Sequence, residues 1–192
     1  MNQNTVQVFT KHDQAFEYLR WVASARSTDK TRAVLQGILI TAEREIVATD
    51  GRRLHYVEST KENDVGLPVG FAPGIYYVER MNTKEICLRL DDTGATYPNW
   101  KAVCVSPQAL SHIIKISRFQ RRPEDTASFV VADLHDITKG YYQHAYILDA
   151  VSCGYCEEME MRVDCLAGGD ATRIPICLDI GNTHAVIMPM DK

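Results

Sequence analysis

A chain of 192 residues that is 45% apolar and 24% charged has an ordinary globular composition, which indicates neither a disordered chain nor a fibre and fits one large domain or two small ones. The net charge of −4 argues against a protein that grips nucleic acid over its whole surface, while leaving room for a local basic stripe. No apolar run nears the roughly 20 residues of a membrane span, and the start MNQNTVQVFT lacks the basic and apolar regions of a secretory signal, so no membrane association and a cytoplasmic location are expected.

Residues 4–10 alternate enough for a short strand. Thr10-Lys-His-Asp13 then reads as a capping box opening a helix from about Lys11 to Ala25, with Phe16, Leu19, Val22 and Ala23 inward. Arg32–Ile40 is a largely apolar run, read as a strand buried on both sides. A polar turn at Ala42-Glu43-Arg44 leads into a second strand, Glu45–Thr49. After Thr49-Asp50-Gly51 comes a third extended run, Arg53–Val57. Ser59–Gly74 is polar and rich in Gly and Pro, hence a connection. Ile75–Val78 and Glu85–Leu90 form a hairpin.

In the second half, Ser106-Pro107 reads as a helix start, with the helix running to about Phe119. Ser111, Lys115, Arg118 and Arg122 would share one face, and Pro123 would stop it. Ser128–Ala132 reads as a strand and Tyr142–Ser152 as a helix, ended by Gly154. Glu158–Cys165, Arg173–Asp179 and His184–Met190 read as three closing strands, with turns at Ala167–Asp170 and Ile180–Thr183.

Three segments carry a family resemblance. Arg32, Leu35, Gly37, Ile38 and Leu39, followed by Val47 through Gly51, Arg53 and Leu54, match Arg-x-x-Leu-Asn-Gly-Val-Leu and Val-Ala-Thr-Asp-Gly-His-Arg-Leu. Tyr146-Ile147-Leu148-Asp149-Ala150 matches Tyr-Leu-Leu-Asp-Ala. Val186-Ile-Met-Pro-Met190 matches Val-Val-Met-Pro-Met. These patterns resemble the bacterial DNA sliding clamp, the beta subunit of DNA polymerase III. Tyr97-Pro-Asn-Trp100 stands where that family ends a domain.

The resemblance implies an α+β chain of the DNA-clamp fold with two small sheet-plus-helix domains. Residues 1–104 would resemble the family's middle domain and residues 105–192 its last, so that the first of three domains is lacking. Ser59–Lys84 has no room for the second helix of a full clamp domain. Arg52 replaces a frequent His, and Asp191-Lys192 replaces an Arg-Leu tail.

The implied function is non-enzymatic. The chain would be a processivity factor that tethers polymerase or other DNA-processing partners to duplex DNA, without reading sequence. It would bind clamp-binding peptides of a polymerase or clamp loader in a cleft between the domains. Residue by residue, the cleft comprises Leu35, Thr49, Gly51, Arg52, Leu54, Pro98, Val103, Val186, Met188 and Pro189. A greasy floor with an adaptable thioether suits a Leu or Phe anchor, and Gly51 admits a close backbone. Each of these residues read alone is more readily a core residue than a site residue; three distant segments matching one cleft tip the balance to the site.

The residues expected on the DNA are Arg20, Arg26, Lys30, Arg32, Lys115, Arg118, Arg121 and Arg122, acting by salt-dependent phosphate contact. The alternative for these is a solvated helix end whose charges complement the dipole. Six clamp domains close a ring in this fold family, so a two-domain chain would need a homotrimer. An alternative function is a stand-alone decoy or adaptor that binds the peptides without encircling DNA.

Other chemistry has little support. The sequence contains no Walker-type glycine loop, no Gly-x-Ser-x-Gly and no His pair at metal spacing. Cys153-Gly-Tyr-Cys156 with Cys165 is the only cysteine cluster; it lacks a fourth ligand for zinc and follows a helix, where a redox pair would open one. No cofactor and no metal are expected.

Overall fold

The computed structural model describes residues 6–104, 112–117, 122–153, 158–163 and 175–190. The chain divides into two units, Met1–Gly51 with His55–Asn99 and Arg52–Leu54 with Trp100–Lys192. The first unit is therefore interrupted by three residues that belong with the second.

The first unit contains β1 (Val6–Thr10), α1 (Ala15–Ala23), β2 (Gly37–Ile40), β3 (Ile46–Thr49), the His55–Val57 part of β4 (Arg53–Val57), β5 (Gly74–Met81) and β6 (Glu85–Leu90). Its strand order is β1-β6-β5-β2-β3-β4. The pairs β1–β6, β6–β5, β5–β2 and β2–β3 are antiparallel. One α-helix, α1, serves this sheet among the described residues, and it packs on β1, β2, β3 and β6. Phe16, Leu19 and Val22 fall at i, i+3 and i+6, and all are fully buried with Ile38, Ile40, Ile46 and Leu88. Each such side chain contributes about 1.5–3 kcal/mol on leaving water.

Two expectations shift here. Thr10 and Asp13 do bond: the Thr10 N–H and hydroxyl donate to Asp13 Oδ2 at 2.6 and 2.9 Å. These bonds hold the Asp13 carboxyl below its usual range, the backbone N–H of Thr10 being the larger cause. They close a turn rather than cap the helix, which begins two residues later at Ala15. Arg32–Ile40 is not one strand. Ala33–Gln36 forms a 3-10 turn, and β2 starts at Gly37. A Cβ on Gly37 would lie 2.5 Å from Ile75 Cγ2, so this glycine lets β2 meet β5.

The second unit contains β7 (His112–Ser117), α2 (Pro123–Thr138), α3 (His144–Val151), β8 (Glu158–Val163), β9 (Ile176–Ile180) and β10 (Thr183–Ile187). These strands run antiparallel in the order β10-β9-β8-β7. Ile180 pairs with Thr183 across Gly181-Asn182, and Gly181 takes φ +60°, as a two-residue hairpin requires. Helix α2 packs on α3, and α3 on β10. Ala127, Val130 and Leu134 of α2 and Ile147, Ala150 and Val151 of α3 are buried with Leu178 and Ile187.

The middle of this half corrects the sequence reading. The expected helix over 106–119 is strand β7 at His112–Ser117. Pro123 does not stop a helix; it starts one at N1, following an extended Arg122. Ser128–Ala132, expected as a strand, lies inside that helix. Ser106-Pro107, Gly154 and the turn at 167–170 lie outside the described residues.

Candidate partner-binding site

The ten residues expected to hold a partner peptide fall in both units, and each half is built separately. In the first unit, Thr49-Asp50-Gly51 forms a turn fixed from three directions. The Gly51 N–H donates to Thr49 Oγ1 at 3.0 Å. Gly51 adopts φ +89°, a conformation that disfavours any side chain. Arg32 Nη1 donates to the Asp50 carbonyl at 3.1 Å.

The strand entering this turn is pinned as well, because the Thr49 N–H donates to the Tyr97 hydroxyl at 3.1 Å. Burial drives the Tyr97 phenol above its ordinary pKa, against the opposing pull of the Thr49 bond. Leu35 sits half-buried in the 3-10 turn, with its N–H on the Arg32 carbonyl. Pro98 is exposed one residue beyond buried Tyr97.

In the second unit, Arg52–Leu54 is joined to the end of the chain. The Met188 N–H donates to the Arg52 carbonyl at 2.9 Å, and two residues on the Met190 N–H donates to the Tyr141 carbonyl at 2.7 Å. Leu54 and Val186 are core residues, whereas Met188 and Val103 are 37% and 47% exposed. Pro189 is half-buried and Arg52 exposed. Arg52 lies just before β4, which opens with Arg53 and buried Leu54. The Arg53 guanidinium pairs with the Asp149 carboxylate and lies 4.4 Å from the Tyr146 ring centroid.

Sequence reasoning passed over Arg53, Tyr146, Asp149 and Tyr97 as site-building residues. A signal existed for one pair, since Tyr146 and Asp149 stand at i, i+3 on a helix and so share a face. Arg53 and Tyr97 gave none, because their partners are remote in sequence.

The basic set does not form a helix face. Lys115 lies on β7 and Arg122 at the N-cap of α2; Arg118 and Arg121 lie outside the described residues. Lys115 pairs with Glu160 at 3.7 Å and Arg122 with Asp125 at 3.2 Å. Arg20 pairs with Glu17 at 3.5 Å, and Arg32 with Asp29 at 3.8 Å. Arg26 donates to the carbonyls of Ala23 and Gln36 at 2.9 and 3.3 Å, and burial lowers its pKa. Lys30 is exposed. Helix α2, PEDTASFVVADLHDIT, carries Glu124, Asp125, Asp133 and Asp136 and no Lys or Arg.

Among the described residues, no group of three or more His, Cys, Asp or Glu is arranged to hold a metal ion, and no helix is long and apolar enough to cross a membrane. Cys153 is buried, its sulfur 3.6 Å from Thr183 Oγ1; Cys156 and Cys165 lie outside the described residues.

Two units, each an antiparallel sheet with one or two helices among the described residues, define an α+β protein. The particular fold is that of the bacterial DNA sliding clamp, the beta chain of DNA polymerase III. All of this chain superposes on 66% of the clamp from Streptococcus pneumoniae TIGR4, with TM-score 0.59 and 11% identity. All of it likewise superposes on 67% of a Pseudomonas aeruginosa sliding clamp, with TM-score 0.61 and 10% identity. The Caulobacter crescentus pol III beta chain gives 0.58 and 14% identity over 68% of its length. No family model and no curated protein matches the sequence. The chain thus spans about two thirds of the length of the clamps it resembles.

Proposed function

We propose that this protein is a clamp-fold docking platform that holds a short peptide of a polymerase or another DNA-processing partner and performs no bond chemistry. The observation that carries this reading is the exposed Met188 side chain, hydrogen-bonded through its backbone to Arg52 and directly following β10 with its buried Val186. An exposed, polarizable side chain on a fixed backbone suits a Leu or Phe anchor. Leu35, Thr49, Gly51, Leu54, Pro98, Val103 and Pro189 complete the proposed cleft. Such a platform acts by raising its partner's effective concentration.

The test is binding of a fluorescent peptide of the Gln-Leu-x-Leu-Phe type, with Met188→Asp as control. Saturable binding lost in the variant supports the cleft; no binding by the unmodified protein removes it.

In the processivity reading, the platform rides on duplex DNA as a homotrimeric ring of six clamp domains. A solution mass of one chain by light scattering would end that reading. The adaptor reading, in which the peptide is bound and DNA ignored, has its own support. Helix α2 is acidic throughout, and Arg20, Arg32, Lys115 and Arg122 each already face a carboxylate. Titration of duplex DNA at low salt separates the two: phosphate contact gives binding that weakens steeply with salt, and a flat titration selects the adaptor.

A further inference from the structure

We propose that the exposed face of α2 is a docking surface for a basic peptide segment, one that carries an apolar side chain with Lys or Arg a helical turn to either side. The proposal is independent of the peptide cleft, which contains no residue of this helix.

Asp125, Phe129, Ala132, Asp133 and Asp136 stand at i, i+4, i+7, i+8 and i+11 and so share one face of α2. All five are exposed, while Ala127, Val130 and Leu134 on the opposite side are buried. The face is about 16 Å long at 1.5 Å per residue, or three helical turns. Phe129 is 52% exposed. A lone exposed aromatic is ordinary on a protein surface. This one has a carboxylate one turn away on each side, Asp125 and Asp133, which makes an apolar centre with an acidic border.

The carboxylates set the sign of the partner. Glu124 and Asp125 lie in the first turn, where the positive end of the helix dipole favours them. Asp125 also meets Arg122, but that pair is exposed on both sides and exchanges readily for another cation. Asp133 and Asp136 form no ion pair among the described residues. Asp136 moreover stands in the last turn, where the dipole disfavours an anion. The helix itself gains nothing from these two charges, whereas the cations of a partner would complement them. Ala132 is small, so an aliphatic side chain can approach beside the Phe129 ring, as in helix-on-helix recognition.

The test uses a fluorescein-labelled helical peptide with Leu at its centre and Lys one turn to either side, followed by fluorescence anisotropy at low salt. Its control has Glu in place of each Lys. The Lys peptide should bind saturably and the Glu peptide should not. Asp133→Asn with Asp136→Asn should lower affinity about tenfold. Glu43→Gln with Glu62→Gln, the same charge change at exposed positions of the first unit, should lower it less than about twofold. Phe129→Ser should lower it about fivefold.

Loss of fold is separable from loss of docking. Removing the charge of Asp136 relieves the dipole, so the Asp133→Asn, Asp136→Asn protein should melt no lower than the unmodified one. Absence of saturable binding overturns the proposal. So does an equal loss in the two paired variants, or an unchanged affinity in Phe129→Ser, since either would mean diffuse attraction to net charge. A dimer in sedimentation that Phe129→Ser converts to monomer would make a second copy of this chain the occupant and would also overturn it.

Discussion

The two halves of the candidate site are held in opposite ways. Thr49-Asp50-Gly51 is fixed mostly by its neighbours: its own Thr49 hydroxyl, a left-handed glycine, and an arginine eighteen positions earlier. Arg52–Leu54 follows directly in the chain, yet it is held by groups about a hundred positions away and more, Asp149, Tyr146 and Met188. Adjacent triplets thus depend on different physics. The first is a local conformational preference, sharpened by one remote phenol, Tyr97. The second is a tertiary assembly that exists only when the second unit is folded.

That contrast can be broken from either side. The largest effect should come from the tertiary half. Leu54 is 2% exposed, and Leu54→Ala should lower unfolding free energy by about 2–4 kcal/mol in a urea titration. A loss under about 1 kcal/mol would mean that the segment is less firmly packed than its burial implies. Next is a remote contact of the local half. Tyr97→Phe leaves the half-buried Thr49 N–H without its phenolic acceptor and should cost about 1–2 kcal/mol.

A smaller loss is expected at the turn itself. Gly51→Ala forces a side chain into φ +89° and against Arg32 Nη1, 3.1 Å from the new Cβ. It should cost about 1 kcal/mol while leaving amide exchange at Met188 unchanged.

The smallest effect belongs to a turn made wholly of local bonds. Asp13 is held below the usual carboxylate range by Thr10, first by its backbone N–H and then by its hydroxyl. A depressed folded-state pKa stabilises above the unfolded value, and that stability is lost as pH falls through the folded one. Asp13→Asn should therefore cost about 0.5 kcal/mol at neutral pH. The gap to the unmodified protein should close on acidification, as thermal melts across the acid range would show.

The same division explains what could be read from the residues. Helix α1, the hairpin of β5 and β6, helix α3 and the β9–β10 turn were all legible, because each rests on periodicity or turn chemistry within a short window. The misread stretch lies around Pro123. Ser106-Pro107 offered a good helix start, but so did Arg122-Pro123-Glu124-Asp125, with acidic residues in the first turn where the dipole favours them. Three isoleucines in His112–Ser117 favour a strand. Ala127, Val130 and Leu134 recur at helical spacing. Those two signals outweigh the serine-proline pair, and with them the basic helix face dissolves.

By itself, then, the sequence determined the local devices: the Thr49–Gly51 turn, the amphipathic α1 and the α+β character of the chain. It also carried enough of the clamp pattern to point to the fold. Only the tertiary structure decided that Arg52–Leu54 leaves its own unit, that Arg53 lies between Asp149 and Tyr146, and that the Met188 backbone is fixed to Arg52. The reason is physical. A turn is set by the φ/ψ preferences and hydrogen bonds of the few residues in it. A buried cation is set by whichever carboxylate and ring the folded chain brings to it, and their distance along the sequence leaves no local trace.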